Sequence, residues 1–180
     1  MNTNEFIRLI QNRVAEIAVG TSTLRNQGGP GLIQAARNYF KEPAMEKFPV
    51  KNETVFIENL NSTTETLRKR FPPNAQHWGA ARKVINIFLR DAFYNRYLHE
   101  HYKLKPIESW LEVPLDSHVA TGLWKTPYGK CLPKWESIRA LTAVQSKKFQ
   151  EVARLFAQEK GIARVHIDLL FWRQTSTNNA

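Results

Sequence analysis

The chain has 180 residues, 42% of them hydrophobic, with 26 lysines and arginines against 16 aspartates and glutamates. That length suits one domain with a real core and excludes long disorder away from the ends. The net charge of +10 points to a polyanionic partner, nucleic acid first, and Cys131, the only cysteine, excludes an intrachain disulfide and any cysteine-built zinc or iron–sulfur site. The charge is uneven: residues 1–80 carry 10 basic against 7 acidic side chains, and residues 81–180 carry 16 against 9. The N-terminus lacks a basic stretch followed by an apolar run, so no secretory signal is read there. No apolar run approaches the ~20 residues of a membrane span. The expectation is a soluble intracellular protein, cytoplasmic and associated with the nucleoid or otherwise with DNA.

Residues 4–18 read as an amphipathic helix capped by Asn4, with Phe6, Leu9, Ile10, Val14 and Ile17 facing inward and Gly20 as the stop. A polar connection through Arg25-Asn26-Gln27 runs into the turn Gly28-Gly29-Pro30-Gly31. A second helix, 31–41, presents Leu32, Ile33, Ala36 and Phe40. Residues 53–60 suit a short helix or a strand, and helix is preferred because no partner strand is visible. Ser62 and Glu65 have capping-box spacing for a separate short helix ending at Arg68-Lys69-Arg70. Pro72-Pro73 then breaks the chain.

The next helix, 78–93, carries a broad apolar stripe of Val84, Ile85, Phe88, Leu89 and Ala92, with Arg82, Lys83, Asn86, Arg90 and Asp91 off it. A charged, aromatic-rich stretch follows, with a short helix at 107–111. Asp116 or Ser117 opens another that runs to Leu123. Helices are expected at 134–144, at 146–159 with Phe149, Val152, Ala153 and Phe156 inward, and at 162–173. Residues 1–174 should form one all-α globular domain, either a single unit or two helical lobes flanking a cleft, and 175–180 a flexible polar tail. The irregular connections argue against a simple up-down bundle.

Two blocks share one pattern. Gly79-Ala80-Ala81-Arg82-Lys83-Val84-Ile85-Asn86 through Ala92-Phe93, and Val113-Pro114-Leu115-Asp116-Ser117-His118-Val119 downstream, resemble two segments of the helix-hairpin-helix DNA glycosylases, in that family's order. The first resembles the passage from the hairpin into the following helix, and the second the stretch around the catalytic aspartate. Together they cover about a quarter of the chain. The resemblance implies a compact multi-helix fold with a modified helix-hairpin-helix and a central DNA-binding cleft. It implies excision of a damaged or modified base from double-stranded DNA, with an associated abasic-site lyase activity; no cofactor is expected, and no obligate protein partner is evident in the sequence.

Residue by residue, the resemblance makes Lys83 the amine that attacks the sugar C1′ and Asp116 the carboxylate that stabilises its developing positive charge. Arg82 and Gly79 would hold DNA phosphates, and Arg25, Asn26 and Gln27 would enter the base stack. His118 would orient or pack beside Asp116, and Trp78 and Trp124, the tryptophans nearest the matched blocks, are the candidates for lining the base pocket. The chain departs from the family in three places. Ala81 stands where the hairpin has its second glycine, Gln76-His77-Trp78 replaces the usual approach to the turn, and Lys83 and Asp116 are 33 residues apart, more than in endonuclease III. The longer spacing resembles the archaeal 8-oxoguanine branch, so 8-oxoguanine is the first base to consider. A monofunctional enzyme acting on a modified pyrimidine, or a non-catalytic DNA-binding module, would carry the same blocks. Simpler roles compete as well: Lys83 as a solvated helix lysine, and Asp116 as a helix cap. His99 and His101, two apart, make a poor metal pair on a helix, so no metal is expected.

Overall fold

A computed structural model of the protein describes residues 2–42 and 44–176, excepting the side chains of 44 and 172–176. The described residues are helical, with no strand: α1 (Thr3–Ala18), α2 (Leu32–Lys41), α3 (Glu53–Arg70), α4 (Trp78–Tyr94), α5 (Arg96–Tyr102), α6 (Ser117–Trp124), α7 (Ala143–Glu159) and α8 (Ile167–Ser176), joined by loops and short 3₁₀ turns. No helix among them is long and apolar enough to cross a membrane. Residues 175 and 176 belong to α8, and the rest of the expected tail, 177–180, lies outside the described residues.

Several elements differ from expectation. Asn2, not Asn4, caps α1, in a reciprocal capping box with Glu5. The buried stripe of α1 is Ile7, Gln11, Val14, Ala15 and Ala18, which leaves Leu9 57% and Ile17 60% exposed. Gln11 explains the rotation: its amide donates to the carbonyls of Phe40 and Glu42 and accepts from the Tyr102 hydroxyl, so a polar residue is drawn inward. The two short helices expected around 53–70 are one, α3, capped by Asn52. Ser62 caps nothing; its hydroxyl donates to the carbonyl of Asn59, inside the helix. The stretch expected as a helix at 134–144 is irregular up to the start of α7 at Ala143, and α5 has no counterpart in the expected elements.

The buried apolar side chains form two clusters. One draws on α1 to α5 and the chain up to Leu111, with Val165 added; the other runs from Val113 to Phe171. The chain passes from one to the other at Glu112. α4 packs against α1, α3, α5 and α7, and it is buried beyond its apolar stripe, since Arg82, Lys83 and Asn86 are inside as well. A helix buried on most sides must give each polar group a partner, and those partners build the site.

Candidate functional site

Lys83, Ile87 and Arg90 stand at i, i+4 and i+7 on one face of α4. With Ser22 and Thr23 they form one wall of a cavity of about 400 Å³. Pro114, Asp116, His118, Val119, Asp168 and Phe171 form the opposite wall. The first group belongs to the part of the chain that holds the first core cluster, and the second to the part that holds the other. The volume falls in the range of small-ligand pockets, roughly 300–1,000 Å³.

Asp116 caps α6. Its backbone is extended, one carboxylate oxygen accepts from the N–H of Val119 at 3.0 Å, and the other lies 3.6 Å from Lys83 Nζ. Capping and facing Lys83 therefore use different oxygens. Lys83 is 9% exposed. Burial lowers its pKa below the ordinary lysine value; Asp116 pulls the other way and the cation of Arg90 adds to the lowering. Arg90 is held by Asp91 and by Asp168 of α8, so an ion pair spans the cavity between the two clusters. Burial raises the pKa of Asp168, one of whose oxygens is enclosed without a protein partner.

The segment carrying Asp116 is pinned by side chains. The Gln150 amide brackets Val113, accepting from its N–H at 3.1 Å and donating to its carbonyl at 2.8 Å. Arg164 donates to the carbonyls of Trp110 and Leu111. Glu112 is buried and receives both Arg82 Nε and Nη2, at 2.8 and 2.9 Å, and Asn86 Nδ2 at 3.0 Å. Burial opposes charge on Glu112, but the Arg82 guanidinium beside it wins and holds its carboxyl below the usual range. An irregular stretch with no sheet or helix of its own thus has its backbone groups satisfied from α7 and the chain before α8.

The structure gives several sequence-derived candidates other work. Arg82 is 5% exposed and bonded to Glu112, Asn61 and Thr64, so it braces the core and presents no guanidinium to a phosphate. Gly79 lies in the first turn of α4, not in a hairpin. A Cβ there would sit 2.2 Å from the Ile138 carbonyl oxygen, so the glycine serves close packing of the 138–141 turn. Ala81 is inside the same turn, its N–H bonded to His77 O, so that amide is not free for a phosphate. Trp78 is half-buried against the second cluster with the Arg82 guanidinium over its ring, and it does not line the cavity. Trp124 lies outside the cavity, at the far end of α6. Arg25 and Asn26 are exposed on the loop that brings Ser22 and Thr23 to the cavity, Asn26 in the left-handed region. Gln27 is buried and donates to Arg25 O.

His118, Lys83 and Asp116 do come together. Arg90 was legible in principle as the i+7 neighbour of Lys83, and Pro114 lay within the matched block. Asp168 had no signal, because only the tertiary fold brings α8 to the cavity. Among the described residues no group of three histidine, cysteine or acidic side chains is placed to hold a metal ion. Compared with known proteins, the chain matches no protein-family model, no curated protein and no solved structure.

Proposed function

We propose that the protein is a DNA glycosylase with associated lyase activity, acting at the cavity between Lys83 and Asp116. The observation that carries the reading is the pair itself: a buried lysine with a lowered pKa, 3.6 Å from a carboxylate, on the wall of a ligand-sized cavity. The two residues come from separate elements, and they fall in the two blocks that resemble the glycosylases. A target base leaving the duplex enters the cavity, since its glycosidic bond is out of reach inside the stack. The neutral Lys83 amine attacks C1′ as the C1′–N bond breaks, and the base departs with the bonding electrons and takes up a proton. Asp116 stabilises the positive charge on the sugar. Loss of the amine proton and ring opening give a Schiff base; removal of a C2′ proton then expels the 3′-phosphate, cutting the strand.

On this reading the excess positive charge attracts double-stranded DNA, and the exposed Arg25 and Asn26 lie on the loop that flanks the opening. The 33-residue spacing favours 8-oxoguanine as the first substrate to test. Borohydride added to the protein with duplexes carrying one modified base or an abasic site should trap a covalent adduct, and Lys83→Ala should abolish it. Trapping that persists undiminished in Lys83→Ala rules out this lysine as the nucleophile. Base release that survives without strand cleavage shows a monofunctional enzyme in which Asp116 activates water.

A further inference from the structure

Trp124 stands on the other side of α6 from the Lys83 cavity and is 62% exposed. It lines a separate groove of about 570 Å³ together with Leu132, Pro133, Trp135, Lys130 and Lys134. The Trp135 ring meets Phe149 edge-on, at 5.5 Å between centroids and an interplanar angle of 89°, which fixes its plane. The chain that forms this groove is strongly basic. Residues 124–148 hold six lysines and arginines and one acidic residue, Glu136. None of those six cations, Lys130 and Lys134 included, makes an ion pair among the described residues.

The Trp124 indole presents most of its surface to solvent on this groove. Unpaired lysines on the same groove supply positive charge without an internal partner. Aromatic faces that stack bases, flanked by cations that follow the phosphates, are the two components of a single-strand nucleic-acid site. We propose that this groove binds single-stranded nucleic acid, with Trp124 stacking an unpaired base and Lys130 and Lys134 contacting the adjoining phosphates. α6 then separates two sites: its first turn faces the Lys83 cavity and its last turn faces the groove. The inference stands on the groove's own charge and aromatic surface, and it does not require the cavity to be catalytic.

The test uses the full-length protein and an undamaged, dye-labelled oligothymidylate of about ten nucleotides, within the range of single-strand site sizes. Trp124→Ala should weaken binding about tenfold, as loss of one stacked base does, while Trp124→Phe should retain most of it. Lys130→Gln with Lys134→Gln should make the salt dependence shallower, by about 0.7 in log–log slope for each phosphate that is no longer neutralised. Lys83→Met, which spares the groove, should bind the oligonucleotide as the wild type does, so a failure of the proposed chemistry at the cavity leaves this result readable. Unchanged affinity in Trp124→Ala overturns the proposal. So does polyglutamate that displaces the oligonucleotide at equal charge concentration without discriminating Trp124→Ala from wild type; that outcome assigns the groove to an acidic protein segment.

Discussion

Asp116 holds two positions at once, and its two oxygens separate them. One accepts the Val119 N–H at the start of α6 and the other faces Lys83. An asparagine at this position would keep the hydrogen bond to Val119, since asparagine caps helices as well as aspartate does, but would lose the negative charge. Asp116→Asn should therefore melt close to the wild-type temperature, while on the proposed function base release slows by about 100-fold or more, the order of loss when one electrostatic stabiliser is removed from a reaction centre. Parallel loss of folding and activity would show the residue to be only a cap. Arg82, next to Lys83 in sequence, gives the opposite pattern. Its guanidinium neutralises a buried Glu112, and truncation leaves that charge unpaired. Arg82→Met should destabilise the fold by about 3–5 kcal/mol, a fall of about 2–4 °C in melting temperature per kcal/mol for a chain of this size. Replacing Glu112 by leucine in the same protein should recover much of the loss, because a well-packed apolar pair often matches a buried ion pair.

At the level of elements, the irregular segment 110–116 determines where Asp116 stands. Gln150 of α7 supplies to Val113 the two hydrogen bonds that a neighbouring strand would otherwise give. Gln150→Leu keeps much of the volume but strands a buried N–H and a buried carbonyl, at about 1–3 kcal/mol for each group left unpaired. The variant should melt lower, and on the proposed function base release should fall beyond what the lost folded fraction accounts for, because the segment bearing Asp116 is no longer fixed. A drop in activity equal to the drop in folded protein would show that Gln150 only stabilises. This clamp has no local signature in the sequence, because Gln150 and Val113 lie 37 positions apart. The apolar stripe of α4 and the start of α6 were legible, because each is written in local periodicity and a capping residue. α1 was legible as a helix but not in its rotation, which Gln11 decides through hydrogen bonds to residues 29 and more positions away. Arg82 and Lys83 looked alike as off-stripe cations on a basic helix. Only Glu112, which the fold brings beneath Arg82, distinguishes a core brace from a group at a cavity. Residues 134–142 form no helix, and their turn at 138–141 packs close to the first turn of α4, where only a glycine at position 79 leaves room for it.

Across the whole molecule, the two apolar clusters meet at the Lys83 cavity, and the Arg90–Asp168 ion pair ties α4 to α8 across it. Arg90 therefore bears both on that junction and on the protonation of Lys83. Burial is the main cause of the lowered lysine pKa, and the nearby Arg90 cation lowers it further. In Arg90→Met that cation is gone, so the Lys83 pKa rises and a smaller fraction of the amine is neutral at any given pH. If Lys83 is the nucleophile, the acid limb of the pH–rate profile should move to higher pH, with the plateau rate less affected than the position of the limb. The same change leaves Asp91 and Asp168 without their shared partner. Burial already raises both carboxyls above their ordinary range, and Arg90 is the group that pulls them down. Their pKa values should climb further in the variant. A carboxyl whose folded-state pKa exceeds its unfolded value binds protons more readily in the native protein, so stability is lost as pH rises through that interval and regained on acidification. Arg90→Met should therefore show a larger melting deficit relative to wild type at neutral pH than under mildly acidic conditions. A constant deficit across pH, together with an unmoved rate profile, would mean that Arg90 acts on neither Lys83 nor the junction through its charge.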